Sequence, residues 1–445
     1  MGSRTSETLA FSRETQAGSE RNTTQLSTSV LELKSRMRFS HLVFLSLLVF
    51  LLSQFSSHAF AIEGPIEVHA EFQIPTQGIL KRATDFWIPI YSQYTTKDGV
   101  IHDSKYLLIY DVVDFSKSKK SRARQIKEAK ERVRKILLSL HKSGVENDPS
   151  KIDALSVEEK LIYDLFSPIT DSNKFLAASH YKRLRFQLGQ RDAIEAGIKE
   201  SGRYLPFMEE IFLKEGLPFE LTRLPFVESS FNTRARSKVG ASGIWQFMRS
   251  TAKSFIKIGA AVDERNDPLR ATEAAARLLK INYETLGNWS LAVTAYNHGR
   301  AGLLRAVNRL GTTDLNEVIE KNKARSFGFA SSNFFACLIA VSEVERNAEK
   351  YFGKAERESP HFFYEVPLPA SIYLKDLVSF MGVKRDAIED LNPGITHEGL
   401  RSRARLPKGY RLRLPNDGSG TPEDQASKQR IFLAGFEKIP NKFKR

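Results

Sequence analysis

Glu228 stands in "LTRLPFVESSF", Leu221 to Phe231, a single carboxylate among proline and apolar side chains. Two readings are open: a solvated residue at a helix end, or a proton donor kept neutral by its surroundings. Pro225 removes a backbone donor, so a helix opening near Pro218 should be kinked or close to its end there. Glu228 then sits at a helix C-terminus, where the macrodipole disfavours negative charge. Phe226, Val227 and Phe231 supply low-dielectric neighbours. Both effects raise a carboxyl pKa, as a general acid near neutral pH requires. Taken alone, a Glu at a helix end is most often just solvated.

Downstream residues change that balance. In "ARSKVGASGIWQFMRSTA", Gly240 and Gly243 flank Ala241-Ser242, a turn where backbone can approach a ligand closely. A helix is expected from Ile244, presenting Trp245 and Gln246. An aromatic ring beside an amide is a common way to hold a sugar; the plainer reading is a core tryptophan. In "AYNHG", Tyr296, Asn297 and Gly299 can cap a helix, bind a ligand, or do both.

Together these motifs resemble the catalytic core of the lytic transglycosylases with a goose-type-lysozyme fold, within them the membrane-bound lytic murein transglycosylase D subgroup. The family's Glu-Ser-x-Phe is matched by Glu228-Ser229-Ser230-Phe231. Its Gly-Ala-x-Gly-(Leu/Ile)-(Met/Trp)-Gln is matched by Gly240 to Gln246, and its Ala-Tyr-Asn-x-Gly by Ala295 to Gly299. The resemblance covers about residues 203–350, and less specifically 82–202 through "FWIPIY" and "GVIHDSKY". It implies cleavage of the β-1,4 bond between N-acetylmuramic acid and N-acetylglucosamine in peptidoglycan, leaving a 1,6-anhydro end. Glu228 would be the single acid and base, with Ser237, Gln246, Tyr296 and Asn297 positioning substrate, and with no metal or cofactor. One departure stands out: the family's late-helix tyrosine falls at Phe334 or Phe335 in "FGFASSNFFACLIAV". That keeps two alternatives in view, a weakly active or non-catalytic murein-binding scaffold and a hydrolysing muramidase.

The elements that must position these residues read as mainly α. Residues 66–115 mix short β-rich runs with turns. From Lys117 the pattern is helical, with Ile126, Ala129, Val133, Ile136, Leu137 and Leu140 on one face. Helices are expected at about 156–166, 172–186 and 189–215. Asp267-Pro268 reads as an N-cap and first-turn proline, and Gly299 as a stop. After the polar "GKAERESPH", residues 361–415 read as a βααβ module similar to a LysM peptidoglycan-binding domain, most specifically in the Leu391-Asn392-Pro393 turn. The fold class expected is thus a lysozyme-like helical catalytic domain, 203–352, preceded by a mostly helical region, 62–202. The small module, 361–415, follows it and then a loose polar tail, 416–445.

Residues 37–61, "MRFSHLVFLSLLVFLLSQFSSHAFA", combine Arg38, an apolar run from Leu42 to Leu52 and an Ala59-Phe60-Ala61 cleavage site. This reads as a signal peptide cleaved after Ala61, directing export to a periplasm. An uncleaved anchor is the alternative, although the run is shorter than the ~20 residues a spanning helix needs. Residues 1–36 read as a non-native or disordered leader. The net charge of +15 suits an anionic partner. No nucleic-acid-binding motif accompanies it, so the partner expected is peptidoglycan glycan strands and not nucleic acid. One cysteine, Cys337, excludes an internal disulfide framework and is expected to be a buried free thiol.

Overall fold

The computed structural model describes Phe72, residues 74–416 and residues 421–444. The leader and signal peptide lie outside the described residues. Among those described, no helix is long and apolar enough to cross a membrane. The fold is mainly helical, with five strands among the described residues.

Three apolar cores organise it. The first lies under a three-stranded antiparallel sheet in which β1 (Asp98–Asp103) is central, flanked by β2 (Ile109–Asp114) and β3 (Leu184–Leu188). Ile101 faces Phe186 across the β1–β3 pair. The helix Arg122–Ser143 packs on this sheet with Ala129, Val133, Leu137 and Leu140, four of the six residues assigned to its apolar face. Ser121 caps its N-terminus and Gly144, in the left-handed region, closes it.

The second core is the largest in residues and carries the three motifs. At its centre is a helix that we call αC, Phe329–Arg346, apolar on most sides and buried from Phe334 to Val341. The helix αN, Gly78–Ser92, lies along it. The stretch "FWIPIY" therefore belongs to a helix and not to the β-rich run expected. Its Leu80, Ala83, Phe86, Trp87, Ile90 and Tyr91 recur at three- and four-residue spacing and are all buried.

The third core belongs to the C-terminal module. Its strands Phe363–Pro367 and Arg411–Pro415 pair antiparallel, and between them lie the two expected helices, Leu374–Met381 and Arg385–Leu391, and a third short one, His397–Leu400, which the βααβ reading lacked. Ala261 and Val262, from the segment before Asp267, are part of this same core.

Two further expectations are corrected. The helix placed over 172–186 is only Lys174–Ala178, and the chain then enters β3, whose sheet partner β1 overrides local helical character. The tail is not loose. Pro422–Glu437 is a helix capped by Thr421, and Phe432 and Phe436 bury its apolar face in the third core.

Candidate active site

Pro218 opens a 3-10 turn, Phe219–Arg223, and a new short α-helix, Leu224–Ser229, follows with Pro225 in its first turn. Pro225 thus starts a helix where a kink or a helix end was expected. Glu228 does fall in the last turn. A six-residue helix has little dipole, and the acidity of Glu228 is set by burial: removal from water pushes its carboxyl up to about 8. Part of the residue's surface reaches solvent, yet among the described residues no hydrogen bond or ion pair reaches its carboxyl.

The backbone after Glu228 is strained. Ser230 and Phe231 stand at φ of 51° and 60°, and Gln246 at 47°, a region non-glycine residues enter at a cost of about 1–3 kcal/mol each. What holds this geometry is visible. Ser229 donates to the carbonyls of Pro225, 3.0 Å, and Ile244, 2.9 Å, joining the first two motifs. Behind Ser230 the helix Arg191–Ser201 comes so close that a Cβ on Gly197 would sit 2.2 Å from the Ser230 carbonyl oxygen.

The segment 240–247 is a tight loop. The helix expected from Ile244 begins only at Arg249. Gly243 has φ of 76°, and a Cβ there would lie 1.8 Å from the Arg265 carbonyl oxygen, so glycine is required. Arg265, which the sequence did not single out, ties the loop through its guanidinium to the carbonyls of Gly240, 2.8 Å, and Phe247, 3.1 Å. Trp245 does not present its ring to a ligand: it is fully buried and donates to Thr272, 2.9 Å. The core reading of that residue is the right one.

Each of the other residues singled out keeps unused hydrogen-bonding capacity among the described residues. Ser237 accepts from the Ala241 amide at 2.9 Å, leaving its own O–H to donate. The Gln246 amide nitrogen donates to the Gly243 carbonyl, 2.8 Å, leaving its oxygen. Asn297 accepts from Ser331 at 3.0 Å, leaving its NH2. Tyr296 donates to the Trp245 carbonyl, 2.8 Å, and its ring packs against Phe247 and stacks on Phe334.

Tyr296 is brought to Glu228: burial first, and then the Glu228 carboxylate, make its phenol harder to ionise. Two residues missed from sequence share that neighbourhood. Tyr91 of αN and Cys337 of αC also feel the Glu228 charge, after burial as the larger effect, and the thiol is pushed up to about 12. Cys337 is buried and free, as expected. Phe335 points elsewhere, with its ring 5.7 Å from that of Phe72. Among the described residues, no group of three or more His, Cys, Asp or Glu is placed to hold a metal ion.

Residues 211–319 match the family described as the transglycosylase SLT domain, a span that contains all three motifs. Over 197 residues the chain is 26% identical to the membrane-bound lytic murein transglycosylase D of Escherichia coli (strain K12), covering 41% of this chain and 40% of the relative. The same protein from E. coli O6:H1 (strain CFT073 / ATCC 700928 / UPEC) aligns equally well. The alignment therefore spans well under half of the length of either relative. Among solved structures, the 70 kDa soluble lytic transglycosylase of E. coli aligns with a TM-score of 0.28 and 20% identity. That alignment covers 34% of this chain and 25% of the other, a likeness too partial to define the fold.

Proposed function

We propose that this chain, which carries a transglycosylase SLT domain over residues 211–319, is a peptidoglycan lytic transglycosylase of the cell envelope, exported through a signal peptide cleaved after Ala61. It cleaves the MurNAc-β-1,4-GlcNAc bond and leaves 1,6-anhydroMurNAc ends. The observation that carries this reading is one buried carboxyl, Glu228, held near neutral acidity by burial with no charged neighbour to lower it.

At neutral pH Glu228 is largely protonated and donates that proton to the glycosidic oxygen as the bond to C1 breaks. The resulting carboxylate then takes the proton of the muramyl C6 hydroxyl while O6 closes on C1. One group serves as acid and then base, so its pKa must lie near the working pH, and the proton balance closes without added water. The N-acetyl group of the substrate supports the positive charge at C1, which removes the need for the second carboxylate that most glycosidases use.

The spare O–H of Ser237, the carbonyl of Gln246 and the NH2 of Asn297 hold the saccharide, while Tyr296 shapes the wall beside Glu228. Beside the residues that follow Glu228, a cavity of about 1130 Å3 is lined by Ser229–Thr233 and by Asn392 and Thr396 of the C-terminal module, of a size for sugar residues although Glu228 itself is not in its wall. The LysM-like module would lie along the same strand.

The test is Glu228→Gln on purified murein, which keeps the side-chain shape and removes the proton. Turnover should fall at least about a thousandfold with glycan binding retained. In the wild type, kcat/KM should hold below pH about 8 and fall above it, as the acid form is lost. Retained turnover in the variant would remove Glu228 from its role.

A further inference from the structure

A second cavity, of about 770 Å3, lies where the N-terminal region meets the motif-bearing core, and none of the three motifs lines it. Five cations reach it from separate stretches of chain: Arg82 of αN, Lys105 between β1 and β2, Lys182 and Arg185 at β3, and Lys323 ahead of αC. Its wall holds two carboxylates, Asp171 and Glu320. Asp171 is occupied by Lys105 at 2.5 Å and by the Tyr106 hydroxyl at 2.6 Å. Lys323 donates to the Glu320 carbonyl, 2.7 Å, and not to its carboxylate. Arg82, Lys182 and Arg185 form no ion pair among the described residues, whereas Arg183 between the last two is paired with Asp103 at 2.7 Å. The cavity thus carries three more cations than carboxylates.

Like charges gathered in one place repel, and here packing holds one of them fixed: the Arg185 guanidinium lies over the Phe329 ring, 4.5 Å from its centroid. Behind it the charge is not offset. Burial first, and then the Arg185 charge, make the neighbouring Lys130 easier to deprotonate. We propose that this cavity is a subsite for the carboxylates of an acidic peptide, the stem peptide of murein. A bare anion would need the cations alone, while Leu107, Ile169 and Phe329 add apolar wall that suits the peptide between its carboxylates. The first turns of αC connect the subsite to the candidate active site. Ser332 and Asn333 line the cavity, while Ser331 donates to Asn297 of the third motif at 3.0 Å. A strand held at Asn297 therefore has this cavity on the other side of one helix end. The cation surplus stands by itself; naming the peptide as that of murein rests on reading the chain as a murein enzyme.

The probe is the tetrapeptide released from murein by an amidase, free of glycan and titrated calorimetrically into the full chain. Binding should weaken about tenfold in Lys182→Gln/Arg185→Gln, weaken as salt rises, and vanish for peptide whose carboxylates are amidated. Lys384→Gln/Lys438→Gln removes the same charge from the C-terminal module and should leave binding unchanged. In turnover, Lys182→Gln/Arg185→Gln should raise KM for peptide-bearing murein about tenfold with kcat within about twofold, and should cleave peptide-stripped glycan as the wild type does. Equal weakening in the two double variants would reduce the effect to net charge and overturn the subsite. Inorganic phosphate binding as tightly as the peptide would overturn its assignment to a peptide. Because the titration contains no glycan, it judges the subsite apart from Glu228. Absence of anhydro ends would instead defeat the proposed reaction and leave the binding result as it stands.

Discussion

At Glu228, acidity and stability are linked with opposite preferences. Its carboxyl is raised from 4.5 to about 8 in the folded protein. Between those two values the native state keeps a proton that the unfolded chain has released, so stability falls as pH rises through that window. Below pH 4.5 both states are protonated and nothing is lost. Glu228→Gln should therefore be more stable than wild type at pH 7 by roughly 3 kcal/mol, with the gain vanishing toward pH 4.5. Urea unfolding at the two pH values measures this, and equal stability at pH 7 would mean that the carboxyl is not buried as described. The backbone at Ser230, Phe231 and Gln246 adds strain at the same place, as sites of chemistry often do. Glu228 was legible in sequence because its apolar neighbours are adjacent in the chain. Arg265 was not, because only the folded loop brings its guanidinium to the carbonyls of Gly240 and Phe247.

At the level of elements, the C-terminal module is fastened to the motif-bearing core by buried charge. The helix Pro268–Leu286 is capped by Asp267, whose carboxylate also takes both oxygens' worth of contact from Arg413 at 2.9 and 2.8 Å. Arg413 further reaches Glu365 at 2.9 Å, and Glu365 pairs with Arg270 of that helix. Backbone pairing between Asp263 and Gly394, 2.7 Å, and between Thr396 and Ala261, 2.9 Å, reinforces the join. Arg413→Ala should cost about 3–5 kcal/mol, since it leaves Asp267 and Glu365 buried with one cation fewer. A drop below about 1 kcal/mol in chemical denaturation would show that the network is not closed to water. Local sequence pattern found both strands and two of the three helices of the module, and the Asp267 cap. It missed the strand at 184–188 and the docked final helix, because each is decided by a partner distant in the chain: β1 for the strand, the third core for Phe432 and Phe436.

Across the whole molecule, the chain ahead of and behind the matched segment packs onto the elements that carry the motifs. The N-terminal helix αN lies along αC, the central segment supplies Glu228 and its loops, and the C-terminal module shares with Ser229–Thr233 the lining of one cavity. The three motifs were readable because their residues are short-range and of restricted type, the glycine at the close approach of Gly243 among them. The absence of a hydroxyl at Phe334 and Phe335 was readable too. The central claim, that one carboxyl carries a ring-closing cleavage of murein, is tested most directly by mass spectrometry of the fragments released from purified murein. The wild type should release 1,6-anhydroMurNAc ends and Glu228→Gln none, whereas reducing MurNAc ends from the wild type would contradict a ring-closing cleavage.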